Sequence, residues 1–226
     1  MANPIIYASL GGILPALLWL WFWLREDRKN PEPGKLILET FLMGMLAVVL
    51  VLPIQKGVDI IWPGMAMIAI ISWALFEELF KLGAGYFGGL HTADDNEPID
   101  PIIYMITAAL GFVALENTLF ILGPLVGGDI PHGIVTANLR FIGASLLHVV
   151  SSGIIGVGLS FAFYKNKRAK VLYFLLALVL AIVFHSAFNI LIIKFGGQGM
   201  VAAFLSVWIG AALLLWAFEY AKSVRP

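Results

Sequence analysis

The sequence predicts an all-α fold, a polytopic transmembrane bundle of about seven helices. Of its 226 residues, 61% are hydrophobic and 12% are charged, whereas soluble domains carry about 25% charged residues. The mean hydropathy of +0.94 indicates a chain that lies largely in hydrocarbon. The apolar residues form runs of about 20, the length that a helix needs to cross a bilayer, and polar or proline-rich turns separate these runs.

The predicted spans leave no room for a separate soluble domain, so we assign residues 1–226 to a single integral membrane domain. The absence of cysteine excludes disulfides, thiolate metal sites and cysteine nucleophiles. The formal net charge of zero gives no indication of a nucleic-acid partner. The seven predicted spans are residues 5–24, 36–55, 65–88, 101–122, 139–164, 171–193 and 200–218.

The first span has the features of a retained helix. It lacks a basic segment before it and exceeds the apolar core of a signal peptide. Three tryptophans, Trp19, Trp21 and Trp23, crowd its end, as in the aromatic belt at a membrane surface. In the turn that follows, Pro31 and Pro33 prevent the helix from continuing.

The later turns differ from one another in composition. Pro53 predicts a bend near the end of the second span, and residues 56–63 form a short linker to the third. Residues 91–100 are acidic, and we predict a solvated turn there, with cation binding as the alternative. Residues 123–138 are glycine-rich and predict a loop, and residues 165–170 form a basic loop.

Lysine and arginine residues predict the orientation of the bundle. One set of turns, with the C-terminal tail, carries Arg25, Arg28, Lys29, Lys35, Lys165, Lys167, Arg168, Lys170, Lys222 and Arg225. The opposite side carries only Lys56, Arg140 and Lys194. By the positive-inside rule, the N-terminus is outside and the C-terminus is cytoplasmic, in a multi-pass protein of the cell membrane.

Charged residues in the middle of the third span are the first indication of a functional site. Glu77, Glu78 and Lys81 lie in an apolar run where a charge costs at least about 2.5–3.5 kcal/mol. We therefore expect them to line a wet cavity or to pair with other groups. The spacing places Lys81 within reach of either carboxylate on one helix face.

Polar residues on three other spans are predicted to lie at overlapping depths. Counting about 1.5 Å per residue from the outer end of each span, Glu116 lies roughly 9 Å deep and Glu77 roughly 18 Å deep. The polar residues therefore predict one cluster in the outer half of the membrane. Its further members are Asn117 in the fourth span, His148 and Ser152 in the fifth, and His185 and Asn189 in the sixth.

These residues form motifs in a fixed order on successive predicted helices. The motifs are Glu77-Glu78-x-x-Lys81, Gly111-Phe112 before Glu116-Asn117, His148 before a run of small residues, and Phe184-His185-x-x-x-Asn189. With the Asn30-Pro31-Glu32-Pro33 turn, they resemble the PrsW family of intramembrane proteases, relatives of the CAAX prenyl endopeptidase and bacteriocin-immunity (CPBP) group. Two departures from the wider CPBP pattern, at Lys81 and Ala144, favour the PrsW branch.

The resemblance covers most of the chain and implies a membrane-embedded endopeptidase. For the PrsW branch it also implies the first cut in a single-span anti-sigma factor. The expected partners are therefore a single-span membrane protein substrate and membrane lipid, with no nucleic acid.

The residue types also indicate a chemistry for amide hydrolysis, which needs an activated water, a stabilised oxyanion and a proton for the leaving amine. We expect Glu77 to activate water and His148 and His185 to bind it or to polarise the carbonyl. Asn189 would orient the intermediate, and Glu116 would orient a histidine or share its proton. Four residues have a structural alternative: Glu78 and Lys81 as an ion pair, and Asn117 and Ser152 as hydrogen bonds between helices.

Alternatives to this chemistry remain open at the level of the sequence. His148, His185 and Glu77 could hold zinc, although the resemblance favours a glutamate mechanism without a metal. A zinc-dependent membrane amide or lipid hydrolase would use the same polar residues. A proton-coupled transporter would also embed Glu, His and Lys, but no internal repeat supports it.

Overall fold

The computed structural model describes residues 3–64 and 67–225, and all regular secondary structure in these ranges is helical. Met65, where the third span is predicted to begin, lies outside the described residues, as do the ends of the predicted domain. The α-helices of the described chain are α1 (Pro4–Leu24), α2 (Gly34–Ile61), α3 (Met67–Gly85), α4 (Asp100–Val126), α5 (Ile130–Leu139), α6 (Ser145–Phe161) and α7 (Lys167–Ala221).

Helical segments long and apolar enough to cross a membrane confirm an all-helical, multi-span protein. Five such segments occur among the described residues. They are α1 with the turn up to Asp27, α2, α4, the combined segment Ile130–Phe161, and α7. Short π-helical segments follow α3 at Tyr86–Leu90 and join α5 to α6 at Arg140–Ala144.

Helix α4 lies at the centre of the bundle. Every residue from Asp100 to Ala114 is buried, with α1, α2 and α6 packed around it. Glycine makes these crossings close: a Cβ on Gly111 would collide with the carbonyl oxygen of Phe41 on α2. A Cβ on Gly156 of α6 would lie 2.7 Å from the Ile102 Cα. Small residues at crossings are typical of membrane bundles, where close backbone approach maximises van der Waals contact.

Helix α7 contains a reversal of the chain at Gly196. This residue has φ 52° and ψ −131°, a conformation that favours glycine. The two halves of α7 then pack on each other, with the Phe188 and Phe204 ring centroids 6.5 Å apart. A Cβ on Gly210 would lie 3.4 Å from the Phe184 ring, in van der Waals contact between the same two halves. The reversal falls between the two last predicted spans, 171–193 and 200–218.

Two predicted turns are wrong in the structure. Helix α2 continues through Pro53 to Ile61, where a linker was predicted from residue 56, because Val58 is buried against the bundle. The predicted loop 123–138 is mostly helical, since α4 runs to Val126 and α5 begins at Ile130. Asp129 caps α5 by accepting a hydrogen bond of 3.1 Å from the His132 N–H, so a few residues suffice to turn the chain.

Candidate functional site

Helix α3 carries three ionisable side chains on its buried face. Glu77 is 5% exposed, and Glu78 and Lys81 are fully buried. The same face includes Ile70 and Ala74, so the spacing of about 3.6 residues per turn directs all of them toward the interior. The α3 carboxylates must therefore find their partners inside the bundle.

Glu78 is held by four donors from three helices. Its Oε1 accepts from Lys81 Nζ at 2.5 Å, from Ser151 Oγ at 2.8 Å and from His185 Nδ1 at 2.7 Å. Its Oε2 accepts from Ser152 Oγ at 2.9 Å. A carboxylate only accepts, so His185 carries a hydrogen on Nδ1, and in its neutral form its Nε2 is an acceptor.

Glu77 has one oxygen fixed and one oxygen free. Its Oε1 accepts from Gln55 Nε2 at 2.7 Å. Its Oε2 is buried and has no hydrogen-bond partner in the described chain. This oxygen lies 3.4 Å from His185 Nε2 and 4.0 Å from His148 Nδ1. Because two acceptors face each other across this gap, a proton, a water or a cation is needed between them.

His148 is oriented from both sides of its ring. Lys81 Nζ donates to Nδ1 at 3.0 Å, so Nε2 carries the hydrogen and donates to Glu116 Oε2 at 3.2 Å. The rings of His148 and His185 meet edge to face, with centroids 5.0 Å apart. Donors and acceptors thus form a continuous network across α3, α4, α6 and α7.

Glu116 is paired with Arg140, the first residue of the π-helical segment before α6. Arg140 Nε also donates to Asn117 Oδ1 at 2.6 Å, and Asn117 Nδ2 donates to Ser145 Oγ at 3.3 Å. The guanidinium carbon lies 3.9 Å from the Phe120 ring centroid. Local π-helical geometry is frequent at functional sites, and here it brings a cation to the edge of the cluster.

The charges of the cluster do not cancel. Glu77, Glu78 and Glu116 supply three carboxylates, while Lys81 and Arg140 supply two cations. Buried charge without compensation is strongly destabilising. The surplus negative charge therefore makes the free Glu77 oxygen the favoured position for a proton taken from a water, or for a bound cation.

A cavity of about 550 Å³ opens onto this cluster. Most of its wall is apolar, which suits a hydrophobic peptide segment more than a polar solute. Asn189 lies in the wall and makes no hydrogen bond within the described residues. Polar and aromatic side chains in the wall include Gln55, Trp73, Glu77, Phe112, Glu116, Arg140, His148, His185, Phe188 and Asn189.

The structure brings together most of the residues singled out from the sequence. Glu77, Glu78, Lys81, Glu116, His148 and His185 share one network, with Ser152 on Glu78, Asn117 on Arg140 and Asn189 in the cavity wall. Sequence reasoning missed Gln55, Arg140 and Ser151. Arg140 and Gln55 lie near the ends of predicted spans, where polar residues are ordinary. The one sequence signal for them is that both of these ends lie on the outer side, the side of the predicted cluster.

The comparisons with known proteins that find a match all identify the same family. The model of a family described as "PrsW family intramembrane metalloprotease" matches residues 32–217. A protein named protease PrsW from Geobacillus kaustophilus is 31% identical over 207 residues, covering 88% of this chain and 87% of that protein.

Further relatives with the same name come from Halalkalibacterium halodurans and Bacillus subtilis. The first is 26% identical over 209 residues, covering 90% of this chain and 89% of the relative. The second is 25% identical over 220 residues, covering 95% and 93%. No solved structure matches the chain.

Proposed function

The chain belongs to the PrsW family of intramembrane proteases, and we propose that it cuts a peptide bond of a single-span protein in the cell membrane. The proposed substrate class, which the resemblance to the PrsW family implies, is a membrane-anchored regulator of the anti-sigma type. The apolar cavity beside the cluster supports a substrate that arrives as a hydrophobic segment.

The observation that carries the proposal is the free oxygen of Glu77. It is buried, lacks a partner among the residues described, and faces the Nε2 of His185 at 3.4 Å. A water that contacts both atoms from the cavity side would be activated by transfer of a proton to Glu77, with His185 fixing its position. Gln55 holds the other oxygen, so the carboxylate cannot rotate freely.

The remaining steps follow from the same residues. The water oxygen bonds to the substrate carbonyl carbon as Glu77 takes a water proton, giving a tetrahedral oxyanion. Asn189, with no described hydrogen-bond partner, offers an amide N–H to that oxyanion. Breaking of the C–N bond then takes the proton from Glu77 to the leaving nitrogen, which regenerates the carboxylate.

Seven crossings, with the N-terminus outside and the C-terminus cytoplasmic, are part of the proposal. Helix α3 and the reversal at Gly196 support this number beyond the five long apolar segments. Glu77 lies ten residues after the first residue of α3, roughly 15 Å along its axis. In this orientation, Glu77 lies about halfway through a hydrocarbon core of roughly 30 Å, and the proposal places the chemistry on the outer side of that midpoint.

We expect the cut to fall in the outer half of the substrate's span. Purified protein in liposomes is incubated with single-span substrates, and the new termini are identified by mass spectrometry. Product termini on the cytoplasmic side would contradict the proposed orientation. Absence of any cleavage across a panel that includes anti-sigma factors would contradict the proposed function.

One specific observation supports a zinc-dependent form of the same reaction as the second candidate. Glu77, His148 and His185 each offer a ligand atom, and the three atoms lie within 4.8 Å of one another. Two histidines and a carboxylate are a zinc donor set, and zinc bound there would lower the pKa of a water and polarise the carbonyl. The Lys81 ammonium at His148 Nδ1 opposes such an ion, so we place the metal-free form first.

Chelation separates the two forms. If Glu77 acts without a metal, treatment with a zinc chelator followed by dialysis should leave the cleavage rate unchanged within about twofold. Loss of cleavage that returns on addition of zinc, and not of magnesium, would favour the metal form. The measurement uses the same liposome assay, with metal content of the protein determined in parallel.

A further inference from the structure

We propose that Asp27, Glu32 and Asp100 form a binding site for a hard divalent cation, separate from the catalytic cluster. Each carboxylate offers an oxygen, and the three oxygens lie within 4.8 Å of one another. Asp27 is 5% exposed and Asp100 is fully buried, while Glu32 is half-buried. Along α4, Asp100 is sixteen residues from Glu116, roughly 24 Å.

Each of these carboxylates has one oxygen bound by the protein. Asp27 Oδ2 accepts from the Glu32 N–H at 3.2 Å, and Glu32 Oε2 accepts from the Tyr104 hydroxyl. Asp100 Oδ2 accepts from the N–H groups of Asn96 at 2.8 Å and Glu97 at 2.7 Å. These bonds fix the orientation of all three groups.

The second oxygens have no donor among the described residues. Asp100 Oδ1 is buried and has no hydrogen-bond partner in residues 3–64 and 67–225. A buried carboxylate oxygen without a donor is rare in folded proteins and indicates an unseen water, proton or ion. With Asp27 and Glu32 beside it, the position presents oxygens from three carboxylates, the ligand type of calcium, magnesium and manganese.

No basic side chain neutralises these groups within the described part of the chain. None of the described ion pairs involves Asp27, Glu32 or Asp100, and Lys222 nearby pairs with Glu26 and Glu219. Burial, followed by the neighbouring Asp100 and Asp27 carboxylates, raises the pKa of Glu32 to about 8. The cluster is therefore expected to take up either a divalent cation or a shared proton.

The position of the site gives the cation a structural effect. Asp27 ends the turn after α1, Glu32 lies just before α2, and Asp100 is the first residue of α4. A cation held by all three would tie the ends of three helices together. A ligand that binds only the folded state raises stability in proportion to the logarithm of its concentration above Kd.

Thermal unfolding of the full-length protein in detergent tests the proposal. After removal of metal, calcium or magnesium chloride is titrated and the unfolding midpoint is followed by tryptophan fluorescence. We expect a rise of about 3–6 °C at ten times Kd, which continues in proportion to the logarithm of the cation concentration. Potassium chloride at matched ionic strength should not reproduce this rise.

Variants assign the response to the site. Asp100→Asn and Glu32→Gln should abolish the rise, whereas Asp94→Asn, an exposed carboxylate of the same loop, should retain it. Glu77→Gln should also retain the rise, which separates this site from the catalytic cluster. Because Glu32 is only half-buried, its variant provides the test even if Asp100→Asn does not fold.

Two results would overturn the proposal. One is an unfolding midpoint that rises equally with calcium and with potassium, or that still rises with calcium in Glu32→Gln. The other is a midpoint insensitive to divalent cations that falls as pH rises through about 8. Stability from a raised carboxyl pKa is present at low pH and is lost above the folded pKa, so this second result would assign the cluster to a shared proton.

Discussion

Glu77→Gln should reduce peptide cleavage at least about 100-fold, because a general base contributes on the order of 10²–10⁴ to the rate. The amide cannot accept a proton from water. Its carbonyl oxygen can still accept from Gln55, and its N–H can donate toward His185 Nε2, so the local hydrogen bonds survive. The cleavage rate is measured in liposomes and the unfolding midpoint in detergent.

A matched carboxylate provides the control for this substitution. Glu39 lies on α2 with a side chain that is 46% exposed, and its one ion pair among the described residues is with Lys35 at 3.6 Å. Glu39→Gln should cleave at the wild-type rate. Retained cleavage by Glu77→Gln with an unchanged midpoint would remove Glu77 from the chemistry.

The part of the candidate site that could be predicted from the sequence consists of the residues whose charge is costly in hydrocarbon. Glu77, Glu78 and Lys81 lie in the middle of an apolar run, so each required a partner whatever the fold. Their identification did not depend on knowing which helices are neighbours. The structure adds that Lys81 pairs with Glu78 and not with Glu77, which the spacing alone left open.

Residues at span boundaries could not be recognised in this way. Arg140 follows the short helix α5, and near a membrane surface a guanidinium is inexpensive. Its pairing with Glu116 depends on the turn at Gly128 and Asp129, which brings α5 back over α4. The sequence predicted a loop there, because the glycines that allow this tight turn are also typical of loops.

The long apolar helices were predictable for a different reason. Apolar length alone located the long segments, but the fold of α7 depends on one residue, Gly196, whose positive φ reverses the chain. Nothing in the hydropathy of the flanking segments specifies this angle. The gap between the predicted spans 171–193 and 200–218 indicated a turn and not its direction.

Lys81→Met is expected to destabilise the protein by about 3–5 kcal/mol, the cost of leaving one member of a buried ion pair uncompensated. The ammonium is fully buried and donates to Glu78 at 2.5 Å and to His148 at 3.0 Å. Without it, three carboxylates would face the single cation Arg140. Unfolding is followed in mixed micelles by titration of denaturant.

An exposed ion pair of the same residue types provides the control for the loss of stability in Lys81→Met. Lys35 and Glu39 have the same residue types on α2, and Lys35→Met should change stability by less than about 0.5 kcal/mol, since exposed pairs contribute little. The double substitution Lys81→Met with Glu78→Gln should recover part of the loss, because it removes both charges. Equal losses at Lys81 and Lys35 would mean that the cluster around Glu77 and Glu78 is hydrated enough to behave like a protein surface.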